Sequence, residues 1–514
     1  MKKSISFLVL SIFSITILIA QDKYWISFKD KDVKNYSYEN FLSPQAIANR
    51  KQFNIPLFQY SDIPVKQEYV QSLKDNGIAV ISKSRWFNSV SATLTEEQIA
   101  LVKSMPFVSG IEGIDKHIII TSNNTELAPE KFHIAMLQME SNEMLKNNLT
   151  GKGVVVGVID AGFYRSANSP FLTHLFEENK VLGQRDFIDP TRKDLVNSMA
   201  TDSDYHGTTV LEMIAGYSVP QKAQKGLAVN SKFYLARTEN GAREYRGEED
   251  MWVEAVEWMD SLGVRLISTS LGYAINMDDP KENYKPEEMD GKTTRISKAA
   301  QMAYQDKGIF LVVSAGNEGS NSNWKIISSP ADAEGVLSVG ATRDKHWDKI
   351  NYSSIGPEFL PYLKPNVSCY SPNGTSFSAP AVTGFVACLM EKAPNLSNTE
   401  LKKIIEMSGH LYPFGNNYIG YGVPLASKAI KLIDEKGKTE VSVFEKHIKG
   451  KKIKVKMDKN LNAEGVAFHK KDATNVIDQE VVTIRKGKLQ LKRSPNVKRT
   501  TLSFGTEAIE IYWE

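Results

Sequence analysis

Four short blocks of the sequence carry side chains able to perform acyl transfer. Gly374-Thr375-Ser376-Phe377-Ser378-Ala379-Pro380 reads as a small turn ending in Ser376. Apolar residues at helical spacing follow it: Ala381, Val382, Phe385, Val386, Leu389 and Met390. A serine at a helix N-terminus lies beside unsatisfied backbone N–H groups and the positive end of the helix dipole. Its hydroxyl can attack a carbonyl while its own N–H stabilises the developing oxyanion. Taken alone, the same serine reads more simply as a helix cap, and it is the other three blocks that reverse this.

A nucleophilic serine needs a base, and the base needs an orienting group. His206-Gly207-Thr208-Thr209-Val210 opens a second apolar helical run. Upstream of it, Gly153 to Ile159 reads as a buried parallel strand ending in the carboxylate Asp160. Between the histidine and the serine, Val312-Val313-Ser314-Ala315-Gly316-Asn317 reads as another buried strand ending in an amide. The order is therefore Asp, His, Asn, Ser. That order excludes the chymotrypsin and α/β-hydrolase arrangements. The hydrolase elbow also needs Gly two residues after its serine, where this chain has Ser378. Gly151, Gly153 and Gly157 invite a dinucleotide-binding reading, but they precede and interrupt the strand instead of following it.

These four blocks resemble the subtilisin-like serine proteases, the subtilases, over roughly residues 131–433. The resemblance implies an α/β fold: a subtilisin-like parallel sheet with helices on both faces. It implies Ser376 as nucleophile, His206 as general base, Asp160 as its orienting acid and Asn317 as an oxyanion donor. It also implies that Ser270-Leu271-Gly272 and Ala315-Gly316 bind the substrate backbone, with Ser328 near the base of the first specificity pocket and Trp324 lining it. A neutral pocket would favour uncharged side chains. Two positions depart from the family pattern, Ala161 after Asp160 and Thr209 after the His206 block, and neither removes a catalytic group.

The elements that must position these residues follow in chain order. At 514 residues the chain is too long for one core, so two or three domains are expected. Residues 1–20 have a basic start and a short apolar run, the pattern of a secretory signal peptide, so the protein is expected to be secreted, to the periplasm, cell surface or exterior. No later run suits a transmembrane anchor. Residues 21–125 read as a small α+β unit resembling a subtilase propeptide, which serves as folding assistant and inhibitor. The breaker-rich stretch 121–129 reads as a linker where maturation cleavage is expected. Residues 126–435 alternate strand and helix, and 436–514 alternate apolar and polar residues as a small β domain.

The net charge of +3 gives no support for a nucleic-acid partner. Expected partners are protein or peptide substrates and the chain's own propeptide. Cys369 and Cys388 make no disulfide framework, and neither stands at a metal-ligand spacing with a histidine. No metal or other cofactor is required for the chemistry. Structural calcium is the one ion the resemblance allows. The oxygen-rich stretch from Tyr273 to Thr294 (Asp278, Asp279, Glu282, Glu287, Glu288, Asp290) is its natural place, but no EF-hand spacing is present and a solvated acidic loop is the simpler reading. The rival to a secreted endopeptidase made as a pre-pro-enzyme is a catalytically silent subtilase-fold protein that binds peptides or a surface partner.

Overall fold

The computed structural model describes residues 22–114, 133–241, 246–275, 277, 280–436, 444–450, 452–456, 463–486 and 488–514. The expected signal peptide and the 121–129 linker lie outside these residues.

The N-terminal unit comprises β1 (Asp22–Phe28), α1 (Pro44–Gln52), α2 (Gln67–Asp75), β2 (Val80–Ser84), β3 (Ser89–Leu94), α3 (Glu96–Ser104) and β4 (Val108–Ile114). The strands form an antiparallel sheet in the order β2-β3-β1-β4. Local chemistry sets the helix ends. Thr95 and Gln98 form a reciprocal capping box at the start of α3, and Gly77, at φ +74°, ends α2. One face of the sheet packs Ile26 and Val90 on Val70, Leu73 and Val102 of the helices.

The central unit contains α4 (Ile134–Gln138), α5 (Ser141–Lys146), β5 (Val155–Asp160), α6 (Thr173–Glu177), β6 (Val181–Asp186), α7 (His206–Ala215), a ribbon of β7 (Tyr217–Ser218) and β8 (Ala223–Gln224), and β9 (Lys232–Arg237). It continues with α8 (Glu248–Leu262), β10 (Leu266–Thr269), α9 (Arg295–Asp306), β11 (Phe310–Ser314), β12 (Leu337–Thr342), β13 (Val367–Tyr370), α10 (Thr375–Lys392), α11 (Asn398–Ser408) and α12 (Ala426–Asp434). Seven strands form a wholly parallel sheet in the order β13-β12-β11-β10-β5-β9-β6. Helices cover both faces: one core joins Val158 to Val210 of α7 and Phe385 of α10, and the other joins Leu311 to Trp252 and Met259 of α8. Burial on both faces is why the inner strands read as continuous apolar runs. Gly157 serves this packing. A Cβ there would lie 2.3 Å from Met259 Sδ, so the glycine lets α8 approach the sheet and cradles no phosphate. Cys369 and Cys388 are both free and buried, and burial pushes their thiol pKa values well up.

The stretch from Tyr273 to Thr294 is not the solvated acidic loop expected. Tyr273, Tyr284 and Met289 are buried in the second core, and Glu282 is sealed from solvent. Tyr284 donates a 2.6 Å hydrogen bond to Glu249 of α8. Glu287 stays exposed, and Asp290 accepts from the N–H groups of Lys292 and Thr293. Asp278 and Asp279 lie outside the described residues. The apolar side chains pull the segment onto α8, which composition alone concealed.

The C-terminal unit is β14 (Glu445–Ile448), β15 (Lys452–Lys456), β16 (Ala463–Lys470), β17 (Val476–Ile484), β18 (Lys488–Lys492), β19 (Arg499–Phe504) and β20 (Glu507–Trp513). Five strands make one sheet, order β14-β20-β19-β16-β17, and β15 pairs with β18. Phe468 and Val476 pack on Leu411 and Ile419 of the central unit, and Asn417 exchanges hydrogen bonds with Thr474 and Val476. Among the described residues no helix is long and apolar enough to cross a membrane.

The N-terminal unit docks on α8 and α9 through buried charge. Asp62 pairs with Arg50 and, at 2.6 Å, with Lys307 just past α9. Asp260 of α8 takes Arg50 at 3.2 Å and Arg85 at 2.8 Å. Glu257 accepts from Ser84 Oγ and from the N–H groups of Arg85 and Trp86. Asp62→Ala would take from the buried Lys307 its carboxylate and leave Arg50 to Asp260 alone, and removing one partner of such a cluster costs about 3–5 kcal/mol. Amide exchange across α1 and β2 should then quicken by about a hundred-fold or more. Replacing Arg50, Asp62 and Lys307 together by Met, Leu and Met should restore most of the protection, because no buried charge is then stranded.

Candidate active site

Asp160 ends β5, between β10 and β9, and is fully buried. Its Oδ1 accepts a 2.8 Å hydrogen bond from the Ala161 N–H and lies 2.7 Å from His206 Nδ1. A carboxylate at Nδ1 holds the ring proton there and leaves Nε2 as the acceptor.

His206 opens α7, and the residues around it explain why it can come so close. A Cβ on Gly207 would meet the Gly162 carbonyl oxygen at 2.2 Å and the Asp160 Cβ at 3.0 Å, so only glycine lets the helix start against β5. Arg237 at the end of β9 pairs with Asp186 at 3.1 Å and with Asp204 at 3.5 Å, and Arg192 also holds Asp204, at 2.8 Å. This ionic clamp fixes the turn that delivers His206. No local pattern in the sequence shows it, because its four residues come from three separate segments. Burial disfavours the charged imidazole, but the Asp160 charge and hydrogen bond, with a further contribution from Glu239, outweigh it and raise the His206 pKa.

Ser376 is the second residue of α10, one beyond Thr375, and Gly374 (φ +137°) is the cap. The cap reading of the serine therefore does not apply. Its hydroxyl donates a long 3.4 Å bond to the Ser270 carbonyl rather than to the imidazole, and Ser270 Oγ donates back to the Ser376 carbonyl at 2.9 Å. The next side chain, Phe377, lies against the His206 ring at 5.5 Å between centroids. Rotation about χ1 is the one movement needed to turn the hydroxyl.

Asn317 lies three residues past β11. Its Oδ1 accepts from Thr375 N–H at 2.9 Å and Thr375 Oγ1 at 3.0 Å. With the oxygen held, the amide NH2 is left to donate elsewhere. Thr375 Oγ1 also accepts from the Gly316 N–H at 3.1 Å, so one threonine ties the amide loop to the first turn of α10. Its place beside Ser376 was the available signal for this role.

Ser270, Leu271 and Gly272 follow β10, and Ala315 and Gly316 follow β11. Ser328 sits between them: a Cβ on Gly272 would be 2.1 Å from its Oγ, and one on Gly316 would be 3.3 Å away. The Ser328 hydroxyl is buried without a hydrogen-bond partner. Trp324 is buried in the second core. Among the described residues no group of three or more His, Cys, Asp or Glu could hold a metal ion.

The sheet, its helices and the flanking units define a subtilisin-like fold, shared with fervidolysin from Fervidobacterium pennivorans, a keratinolytic enzyme related to subtilisin. That structure matches at a TM-score of 0.54 and 17% identity, over 94% of this chain and 70% of its own. Residues 151–422 match the model of the Subtilase family, and the chain belongs to that family. It is a serine-type endopeptidase. Residues 23–129 match the Peptidase S8 propeptide domain of Bacteroidota, so the N-terminal unit is a propeptide domain. Among its relatives, subtilisin DY of Bacillus licheniformis is 28% identical over 273 residues, 51% of this chain and 86% of the relative. Subtilisin NAT of Bacillus subtilis subsp. natto is 25% identical over 360 residues, 68% and 83% of the two chains.

Proposed function

We propose that the chain hydrolyses peptide bonds through Ser376, His206 and Asp160, with Asn317 and the Ser376 N–H as oxyanion donors. His206 Nε2 takes the Ser376 proton as Oγ bonds the scissile carbonyl carbon. The resulting imidazolium is stabilised by Asp160 and hands its proton to the leaving amine, and water then releases the acyl group by the same steps in reverse roles. The substrate backbone lies along Ser270–Gly272 and Ala315–Gly316. Neutral walls at Gly272, Gly316 and Ser328 select uncharged side chains.

The observation that carries this reading is the 2.7 Å Asp160–His206 bond, made at the sheet edge where α10 presents Ser376. The protein is secreted by residues 1–20 as a zymogen, and maturation falls in or just after the 121–129 linker. The acyl chemistry calls for no metal. A catalytically silent peptide-binding protein is the second reading, favoured by the turn of the Ser376 hydroxyl to Ser270.

A fluorophosphonate probe separates the two. Mass spectrometry should place the adduct on Ser376 in the mature protein; a chain that binds peptides but takes no label is the silent one. Asn317→Ala should lower kcat about a hundred- to a thousand-fold with KM little changed, a magnitude carried over from the subtilisins.

A further inference from the structure

The C-terminal unit reaches the loop that carries Asn317 through Lys349. Gln479 of β17 meets the Lys349 backbone twice: its Oε1 accepts from the N–H at 3.0 Å, and its Nε2 donates to the carbonyl at 2.8 Å. The Lys349 side chain turns inward and is buried. Its Nζ donates to the carbonyl oxygens of Ile350, Asn351 and Ser353 at 3.2, 3.1 and 3.0 Å. Three carbonyl dipoles aimed at one point repel each other. An ammonium at that point, giving one donor to each, holds them together. Arg343 adds a bond to the Lys349 carbonyl at 3.1 Å and one to Asn351 Oδ1 at 2.9 Å.

The segment held in this way is the one on which Asn317 rests. The Ser354 N–H donates to the Gly316 carbonyl at 3.0 Å, the Glu318 N–H to Ser354 Oγ at 3.0 Å, and the Gly319 N–H to the Tyr352 carbonyl at 2.7 Å. A Cβ on Gly319 would lie 2.0 Å from the Ser353 carbonyl oxygen and 2.7 Å from that of Asn351. The loop therefore packs directly on two of the carbonyls that Lys349 gathers. At the far end of the segment, the Gly356 N–H donates to the Asn417 carbonyl at 2.8 Å, and Asn417 in turn bonds Thr474 and Val476 at the start of β17. Asn317 is thus held from two sides. Thr375 fixes its side-chain oxygen, and residues 352–354 fix its backbone neighbours.

We infer that Gln479 and Lys349 are positioning residues, through which the C-terminal unit braces the oxyanion loop and fixes where the Asn317 amide points. This rests on Asn317 being an oxyanion donor. Such a donor acts only within hydrogen-bond reach of the place the oxyanion will occupy, and a displacement of about 1 Å by a change far from the chemistry can cost about a hundred-fold in rate. The C-terminal unit is then part of the working enzyme, and the mature chain retains it.

The test is a double-mutant cycle in the mature enzyme, with amide exchange in the full chain carrying Ser376→Ala as an independent readout. Gln479→Ala should lower kcat about ten-fold and change KM by less than about two-fold. In an Asn317→Ala background, where no side-chain donor is left to misplace, the same change should cost less than about two-fold. Exchange of the Glu318 and Gly319 amides should quicken by about ten-fold. Lys349→Met, which keeps the stem and removes the ammonium, should show the same pattern and serves if Gln479→Ala fails to fold. An equal fall of kcat in both backgrounds, no fall where Asn317→Ala itself lowers kcat, or unchanged exchange overturns the brace. If exchange quickens but Asn317→Ala by itself leaves kcat unchanged, the brace stands and Asn317 is not the oxyanion donor.

Discussion

A chain carrying Ser376→Ala retains its propeptide domain and loses about a million-fold in kcat, a magnitude carried over from subtilisin. The other hydroxyls of the first turn of α10 are engaged, Thr375 Oγ1 with Asn317 and Ser378 Oγ with the Thr375 carbonyl. Without the Ser376 hydroxyl, the Asn317 amide and the Ser376 N–H can still polarise a bound peptide. That leaves activity about a thousand-fold above water and no covalent intermediate. Casein digestion and the mass of the purified chain read both consequences. If the variant is cut in or just after the 121–129 linker like the wild type but digests no casein, another protease performs maturation and the nucleophile assignment stands. If the variant digests casein as the wild type does, the assignment fails.

Asp160→Asn should lower kcat about ten-thousand-fold with little change of shape. Asp160 Oδ1 already accepts from the Ala161 N–H. The same oxygen faces His206 Nδ1, so the amide must either give its NH2 to Nδ1, which moves the ring proton to Nε2, or keep its oxygen there without the negative charge that stabilises the imidazolium. In both cases the ring accepts the serine proton far less readily. The pH profile carries a second signature. Burial already disfavours the imidazolium, and Asp160 is the main group raising its pKa, so the residual activity should extend to lower pH. Stability follows the same linkage. A histidine whose pKa rises on folding adds stability below its unfolded value of about 6.5 and loses that contribution as pH rises through the folded value. The melting deficit of the variant should be widest in mild acid and narrow above neutrality.

Some features are local enough to be legible in the sequence. The capping box at Thr95 and Gln98 and the glycine stop at Gly77 are written within a few residues of chain. The alternation that marks β1 and β3, and the apolar runs of β5 and β11, are likewise local, since one strand's burial pattern repeats every residue or two. Helix α1 was passed over because its apolar residues are few and only Ala46 and Arg50 are buried. Ser338 and Gly340 break the apolar run of β12 and Ser368 that of β13, so neither strand is marked in the sequence. The segment 273–294 misled through composition: its acids are conspicuous, but Tyr273, Tyr284 and Met289 decide where it packs.

The sequence by itself determined the chemistry. A carboxylate, an imidazole, an amide and a hydroxyl stand in a fixed chain order, each at a strand end or helix start, because backbone N–H groups and dipoles are available only there. It also determined the succession of an α+β, an α/β and a β unit. Tertiary structure alone decided which of these groups touch. β5 lies between β10 and β9, strands that begin 111 and 77 residues after it. No local pattern therefore foretells that Asp204 meets Arg237 or that Thr375 holds Asn317. Those contacts depend on strand order and register in a parallel sheet, whose neighbours are joined by long crossovers, and on burial, which makes each charge seek a partner from whichever segment the fold brings beside it.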